Sequence, residues 1–229
     1  RYSSFSDYIS SKLSIYKYCQ FSTVNLDVDL ANGVDGDNYY GIESSNLRCD
    51  FIAKQNGNTY EVFHKGNRLI TSDDLKVVGR HNIENLLAAL TLGYRFGLSL
   101  KVMTQAAIDF KGLEHRLEFV STINNIDYYN DSKSTNAIST ITAINALFEK
   151  YNNLTLIAGG ISKKEDYSEL FKLINEKVNA VVLIGECSSD FSKQITAPHV
   201  EVVKSMKKAA SMATSMAEGG AVLLSPGCA

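Results

Sequence analysis

Residues 130–136 read NDSKSTN, which sets an acid at Asp131, a cation at Lys133, hydroxyls at Ser132, Ser134 and Thr135, and amides at Asn130 and Asn136 side by side. Packing alone does not require so many hydrogen-bonding side chains in one place, and a polar ligand does. The same residues also read as a polar turn in which Ser134 or Thr135 caps a helix. Upstream, Ile126, Asp127, Tyr128 and Tyr129 have the pattern of a strand; downstream, Ile138, Ile141, Ile144 and Phe148 recur at helical spacing. The heptad therefore lies on a strand-to-helix loop, the place where open α/β sheets bind ligands beyond the carboxyl ends of their strands.

The elements that must position this loop fall into two textures. Before residue 111 the pattern is mixed. A helix is expected around residues 8–18, a strand around 21–26, and two strands at 48–54 and 59–64 with Gln55, Asn56, Gly57 and Asn58 as their turn. Two helices follow, one starting near His81 with Ile83, Leu86, Leu87 and Leu90 on one face, the other over 99–110, with Gly97 at the break. After Gly112, strands near 154–158, 181–185, 200–203 and 222–224 alternate with helices near 167–178, 188–196 and 205–217, which predicts a parallel sheet with right-handed crossovers. The boundary is placed at 112/113, with no Pro-rich or Ser-rich linker to mark it.

A chain of 229 residues with 45% hydrophobic content can bury one large core or two modest ones. A formal net charge of −2, with no Lys or Arg block, lacks the electrostatic footprint of a nucleic-acid binder. Cys19, Cys49, Cys187 and Cys228 are scattered without a C-x-x-C pair, which fits neither a zinc site nor a disulfide framework and suits a reducing cytoplasm. Apolar runs are of strand length, so no membrane insertion is expected. The first residue is Arg1 and the last motif stops at Ala229, so the chain reads as a piece of a longer protein.

Five pieces occur in order: HNIENLLAAL from His81, GLEHR from Gly112, NDSKSTN, LIAGGISKKEDY from Leu156 and VLLSPGCA from Val222. Together they resemble the Mur ligases of peptidoglycan synthesis, over nearly the whole chain. Relatives that add other amino acids carry D-Y-A-H-x-P-like or D-S-Y-N-A-N-P-like segments where this chain has DSKSTN, which points to the D-glutamate-adding branch. The resemblance implies an α/β chain. Residues 1–112 would be part of the central ATPase-type, ATP-binding domain, and 113–229 a Rossmann-like, parallel-sheet C-terminal domain that binds the amino acid. It also implies ATP and Mg2+, the substrates UDP-N-acetylmuramoyl-L-alanine and D-glutamate, and a cytoplasmic monomer.

The implied reaction forms an acyl phosphate from ATP and a carboxylate, and an amine then displaces phosphate; both steps build up negative charge and call for cations. In the resemblance, Lys12 in YISSKLSIY takes the place of a carbamylated lysine that ligates Mg2+; on its residues alone it is a solvated lysine on an amphipathic helix. Asn82 and Asn85, three apart at a helix start, are implied to meet the nucleotide; alternatively Asn82 caps the helix and Asn85 faces solvent. Arg116 takes the place of an arginine that reaches ATP phosphates, against the plain alternative of an ion pair with Glu114 or Glu118. Asp131 is implied to meet the ATP ribose, and Lys133 to neutralise the transferring phosphoryl group. Thr135 and Asn136 open a helix suited to the α-carboxylate of glutamate, and Lys163 takes the place of a second residue that meets the amino acid, though a surface loop lysine reads the same way.

Ser225 and Cys228 are expected to be structural. No G-x-x-x-x-G-K-[ST] phosphate loop occurs, and the metal-binding glutamate and histidine of the family are also missing, so this stretch alone is not expected to turn over. The competing readings are a folylpolyglutamate synthase-like ligase, which DSKSTN speaks against, and a non-catalytic nucleotide or amino-acid binding module.

Overall fold

In the computed structural model, which describes residues 2–28, 34–43, 49–163 and 165–229, the chain forms two units. One comprises Arg1–Lys76 and His81–Phe110, the other Val77–Arg80 and Lys111–Ala229. The sequence reading has a single crossing at 112/113; the short excursion at 77–80 exists because Val78 packs against the core of the second unit.

The first unit opens with α1 (Phe5–Leu13), whose N-cap Ser4 accepts from the backbone N–H of Asp7, followed by a 3-10 turn over Ser14–Lys17. Strands β1 (Thr23–Asn25), β2 (Asn38–Ile42), β3 (Cys49–Asn56), β4 (Thr59–His64) and β5 (Asn67–Thr71) form one sheet in that order. The pairs β1/β2 and β2/β3 are parallel, and β3/β4 and β4/β5 antiparallel. The β3–β4 hairpin is tighter than expected: Asn56 pairs with Thr59, so only Gly57 and Asn58 turn, with Gly57 at φ +61°. Arg48, expected to open that first strand, lies outside the described residues. Helix α2 (Arg80–Arg95) lays Ile83, Leu87 and Leu90 on Phe51, Val62 and Ile70, and α3 (Leu100–Asp109) adds Met103.

The second unit begins with an unpredicted strand. The segment β6 (Glu118–Ile123) runs antiparallel to β7 (Ile126–Asn130) through Asn124 and Asn125, both at positive φ, the backbone of a tight hairpin that Asn tolerates. Then follow α4 (Ala137–Phe148), β8 (Leu154–Ala158), α5 (Ser168–Lys177), β9 (Ala180–Ile184), the short α6 (Ser188–Phe191), β10 (His199–Val203), α7 (Met206–Met216) and β11 (Gly220–Leu224). The helix expected over 188–196 ends at Phe191, and beyond it Asn175 holds the chain: its Oδ1 accepts from Thr196 N and its Nδ2 donates to Gln194 O.

Strand order is β10-β9-β8-β11-β7-β6, all parallel except β6. Alternation along the strands divides the core. Leu154, Leu156, Leu183 and Leu223 face α4, α5 and α6, while Ile157, Val182 and Val222 face Ala209 and Ala213 of α7. On α4 the buried face only partly follows the isoleucine stripe: Ile144 is buried and Ile141 packs against the core, but Ile138 is 75% exposed and the face is completed by Ala137, Thr140, Ala143 and Leu147. Small side chains at 137 and 143 let this helix approach the sheet closely, which the larger residues would prevent. Chain order and strand order part company where β11 inserts between β7 and β8, so the loops leaving these three strands meet at one end of the sheet.

Candidate functional site

Those loops are stitched by their backbones. Gly159 N donates to Pro226 O (2.9 Å), Gly227 N to Ser134 O (2.9 Å), and Ile161 and Ala229 exchange both bonds, at 2.8 and 3.1 Å. Close approach explains the glycine pair after β8, which in sequence is only a weak turn signal. A Cβ on Gly159 would sit 2.1 Å from Ile184 O, and one on Gly160 2.4 Å from Ala229 O, with φ at +110° and +147°.

Asp131 is the hub of the buried part. It is 5% exposed; its Oδ1 accepts from Leu117 N (3.0 Å), and its Oδ2 accepts from the hydroxyls of Ser134 and Ser225. Ser225 Oγ also lies 2.9 Å from Thr140 Oγ1, which ties the loop after β11 to α4. A carboxylate offers about four acceptor positions, so one remains for a further donor. The sequence reading missed this hub, because its partners lie as far as 94 residues away.

The segment at 112–117 is held over the heptad by Lys133 N, which donates to His115 O at 3.1 Å. Asn130 Nδ2 lies 2.9 Å from His115 Nδ1, and Glu118 accepts from His115 N at 2.9 Å. His115 and Leu117 have φ of +66° and +46°, and Arg116 stands exposed between them. Among the described residues Arg116 forms no ion pair with Glu114 or Glu118, so its guanidinium is available to an anion. Lys133 is likewise exposed.

At the start of α4, Asn136 is the N-cap, its Oδ1 accepting from Ser139 N at 2.9 Å. Here two predicted residues 28 apart in sequence meet: Lys163 Nζ donates to Thr135 O (2.6 Å) and lies 3.1 Å from Thr135 Oγ1. Glu165, for which the sequence held no signal, accepts from Ala137 N at 3.1 Å. Beneath, Tyr167 OH lies 3.7 Å from Cys228 Sγ; burial pushes the Cys228 thiol up to about 12, with the Tyr167 contact acting against the rise and the neighbouring Cys187 adding to it. The arrangement offers an ammonium, a hydroxyl and a helix start to a carboxylate.

The first unit carries Lys12, Asn82 and Asn85. Lys12 is exposed on α1, its Nζ 5.5 Å from the centroid of the Tyr8 ring. Asn82 and Asn85 lie in the first turns of α2, the former half-buried and the latter exposed.

Residues 115–228 match the family described as Mur ligase, glutamate ligase domain. Over 97% of its length the chain is 36% identical to a UDP-N-acetylmuramoylalanine--D-glutamate ligase of Marinobacter nauticus. Through these residues the chain belongs to the Mur ligase family. It spans about half the length of the curated relatives it matches, 51% of that one. Solved Mur ligases share the fold. The UDP-N-acetylmuramate-alanine ligase of Thermotoga maritima superposes with TM-score 0.71 at 18% identity, over 99% of this chain and 52% of that one. A MurF ligase of the same organism, solved in complex with ADP, gives 0.70 at 17% identity, over 96% and 53%. The matched domain contains Arg116, Asp131, Lys133, Thr135, Asn136 and Lys163; Lys12, Asn82 and Asn85 precede it. Among the described residues, no helix is long and apolar enough to cross a membrane.

Proposed function

We propose that this chain is part of an ATP-dependent ligase that adds D-glutamate to UDP-N-acetylmuramoyl-L-alanine. Support comes from the names of relatives 34–41% identical to it, and from the pairing of Lys163 with Thr135 at the helix start after β7. That pairing is the observation that carries the reading, because it sets a fixed cation beside a hydroxyl where an amino-acid carboxylate can bind.

The reaction takes ATP as substrate. Transfer of its terminal phosphoryl group to the carboxylate of the UDP-linked acid makes an acyl phosphate and releases ADP; the neutral amine of D-glutamate attacks the carbonyl, and phosphate leaves as the amide forms and the nitrogen gives up a proton. Lys133 and Arg116 offset charge on the phosphoryl oxygens, and Lys163 with Thr135 holds the amino acid by its carboxylate. Asn82 and Asn85 at the start of α2 are assigned to the nucleotide, and Asp131 retains one acceptor position for a ribose hydroxyl. The described residues contain no group of three or more His, Cys, Asp or Glu able to hold a metal ion. Lys12 alone, even as a carbamate, does not complete a Mg2+ site, and no step is assigned to that ion. The free thiols, Cys19, Cys49, Cys187 and Cys228, are compatible with a cytoplasmic enzyme.

In the full-length protein, phosphate release from MgATP should require both UDP-N-acetylmuramoyl-L-alanine and D-glutamate. Equal release with L-glutamate would remove the substrate assignment, and nucleotide binding without turnover would favour a binding module.

A further inference from the structure

We infer that Glu165 is a positioning residue for Lys163. The inference rests on the amino-acid-binding role given above to Lys163 and Thr135. Two contacts cross from the loop after β8 to the start of α4, and they match in spacing. Lys163 reaches Thr135, and two residues further along both segments Glu165 accepts from Ala137 N at 3.1 Å. A lysine side chain is a flexible four-carbon stem that loses rotamer freedom when held, and an exposed ammonium contact does little against that. The Glu165 contact does not involve the ammonium, so it can fix the loop while the cation is left to a ligand. Its carboxylate sits at the first helical N–H, where negative charge is favoured, and Asn136 takes the N–H of Ser139 instead, so the two side chains do not compete. A third hold is the backbone N–H of Lys163, which donates to Tyr167 OH at 3.4 Å.

Without Glu165 the loop loses its outer attachment and the ammonium samples positions away from Thr135. The loss should appear in recognition of the amino acid and leave the phosphoryl step intact. In the full-length enzyme, Glu165→Ala should raise KM for D-glutamate about tenfold, with kcat within about twofold and KM for ATP unchanged. Glu165→Gln keeps an oxygen that accepts from Ala137 N–H and should stay within about threefold of the parent. An unchanged KM for D-glutamate in Glu165→Ala would overturn the inference. A lowered one would also overturn it, since it would mean that the Glu165 carboxylate competes with the substrate for the helix start.

A second readout needs no turnover. Acetic anhydride labelling of Lys163, followed by mass spectrometry, should run about threefold faster or more in Glu165→Ala than in the parent or in Glu165→Gln; equal rates would sink the inference. If the parent enzyme shows no D-glutamate-dependent phosphate release, the proposed function fails, and the labelling rates still decide whether Glu165 holds Lys163.

Discussion

Asp131 and Lys163 both stand on loops at the carboxyl end of the second sheet, yet the fold uses their charges in opposite ways. Asp131 is buried and receives donors from the segment before β6, from its own loop and from the loop after β11. Lys163 is exposed, and among the described residues its ammonium reaches Thr135. A buried carboxylate must be given donors by the chain itself, since leaving it unpaired is costly, whereas an exposed ammonium keeps its water and can exchange it for a ligand. Polar density in NDSKSTN thus has two sources. Asp131 and Ser134 are buried and build the platform, while Lys133 is exposed and Thr135 half-buried.

The contrast breaks most sharply at Asp131. Asp131→Ala strands Leu117 N–H and two hydroxyls in a buried setting and should lower the unfolding free energy by about 3–5 kcal/mol, read from urea midpoints of the full-length protein. A loss below about 1 kcal/mol, together with weakened ADP binding, would make Asp131 a ligand group and not the hub.

The buried platform extends to Cys228, whose effect depends on pH. Its folded value of about 12 stands above the ordinary 9.0, so its contribution to stability is complete below pH 9.0 and is lost as pH climbs towards 12. Urea midpoints measured against pH should therefore fall more steeply over that window in the parent than in Cys228→Ala, and parallel curves would contradict the buried, neutral thiol. At Lys163 the expected change in stability is smallest. Lys163→Met should shift the unfolding free energy by no more than about 0.5 kcal/mol while D-glutamate-dependent phosphate release collapses. A loss above about 2 kcal/mol would place Lys163 in the platform instead.

Legibility in the sequence followed the range of the interactions. The strand Leu154–Ala158 was readable to its ends because a fully buried parallel strand is a short apolar run. The strand Glu118–Ile123 was not, since at the sheet edge it leaves Phe119, Val120 and Ile123 exposed and its only local marker is Asn124-Asn125. Helix α4 was legible as a helix from its helical spacing, but that spacing did not tell that Ile138 stays exposed while Ala137, Ala143 and Leu147 join Ile144 in the core, because which side chains pack depends on how close the sheet lies. At the candidate site, the resemblance pointed to Lys133, Thr135, Asn136 and Lys163, and the structure brings Lys163 to Thr135. Glu165 and the Ser225 link to Asp131 stayed hidden, each being a polar residue whose partner is distant in the chain.

Periodicity, turn residues and motif order, all local properties of the chain, determined by themselves the alternating α/β pattern of the second unit and the family to which it resembles. Tertiary structure alone decided that β11 enters between β7 and β8, and with it which loops meet, which carboxylate is buried and which ammonium is left to solvent. Those outcomes depend on groups that come within hydrogen-bonding distance only after the sheet has assembled, and no short window of sequence contains them.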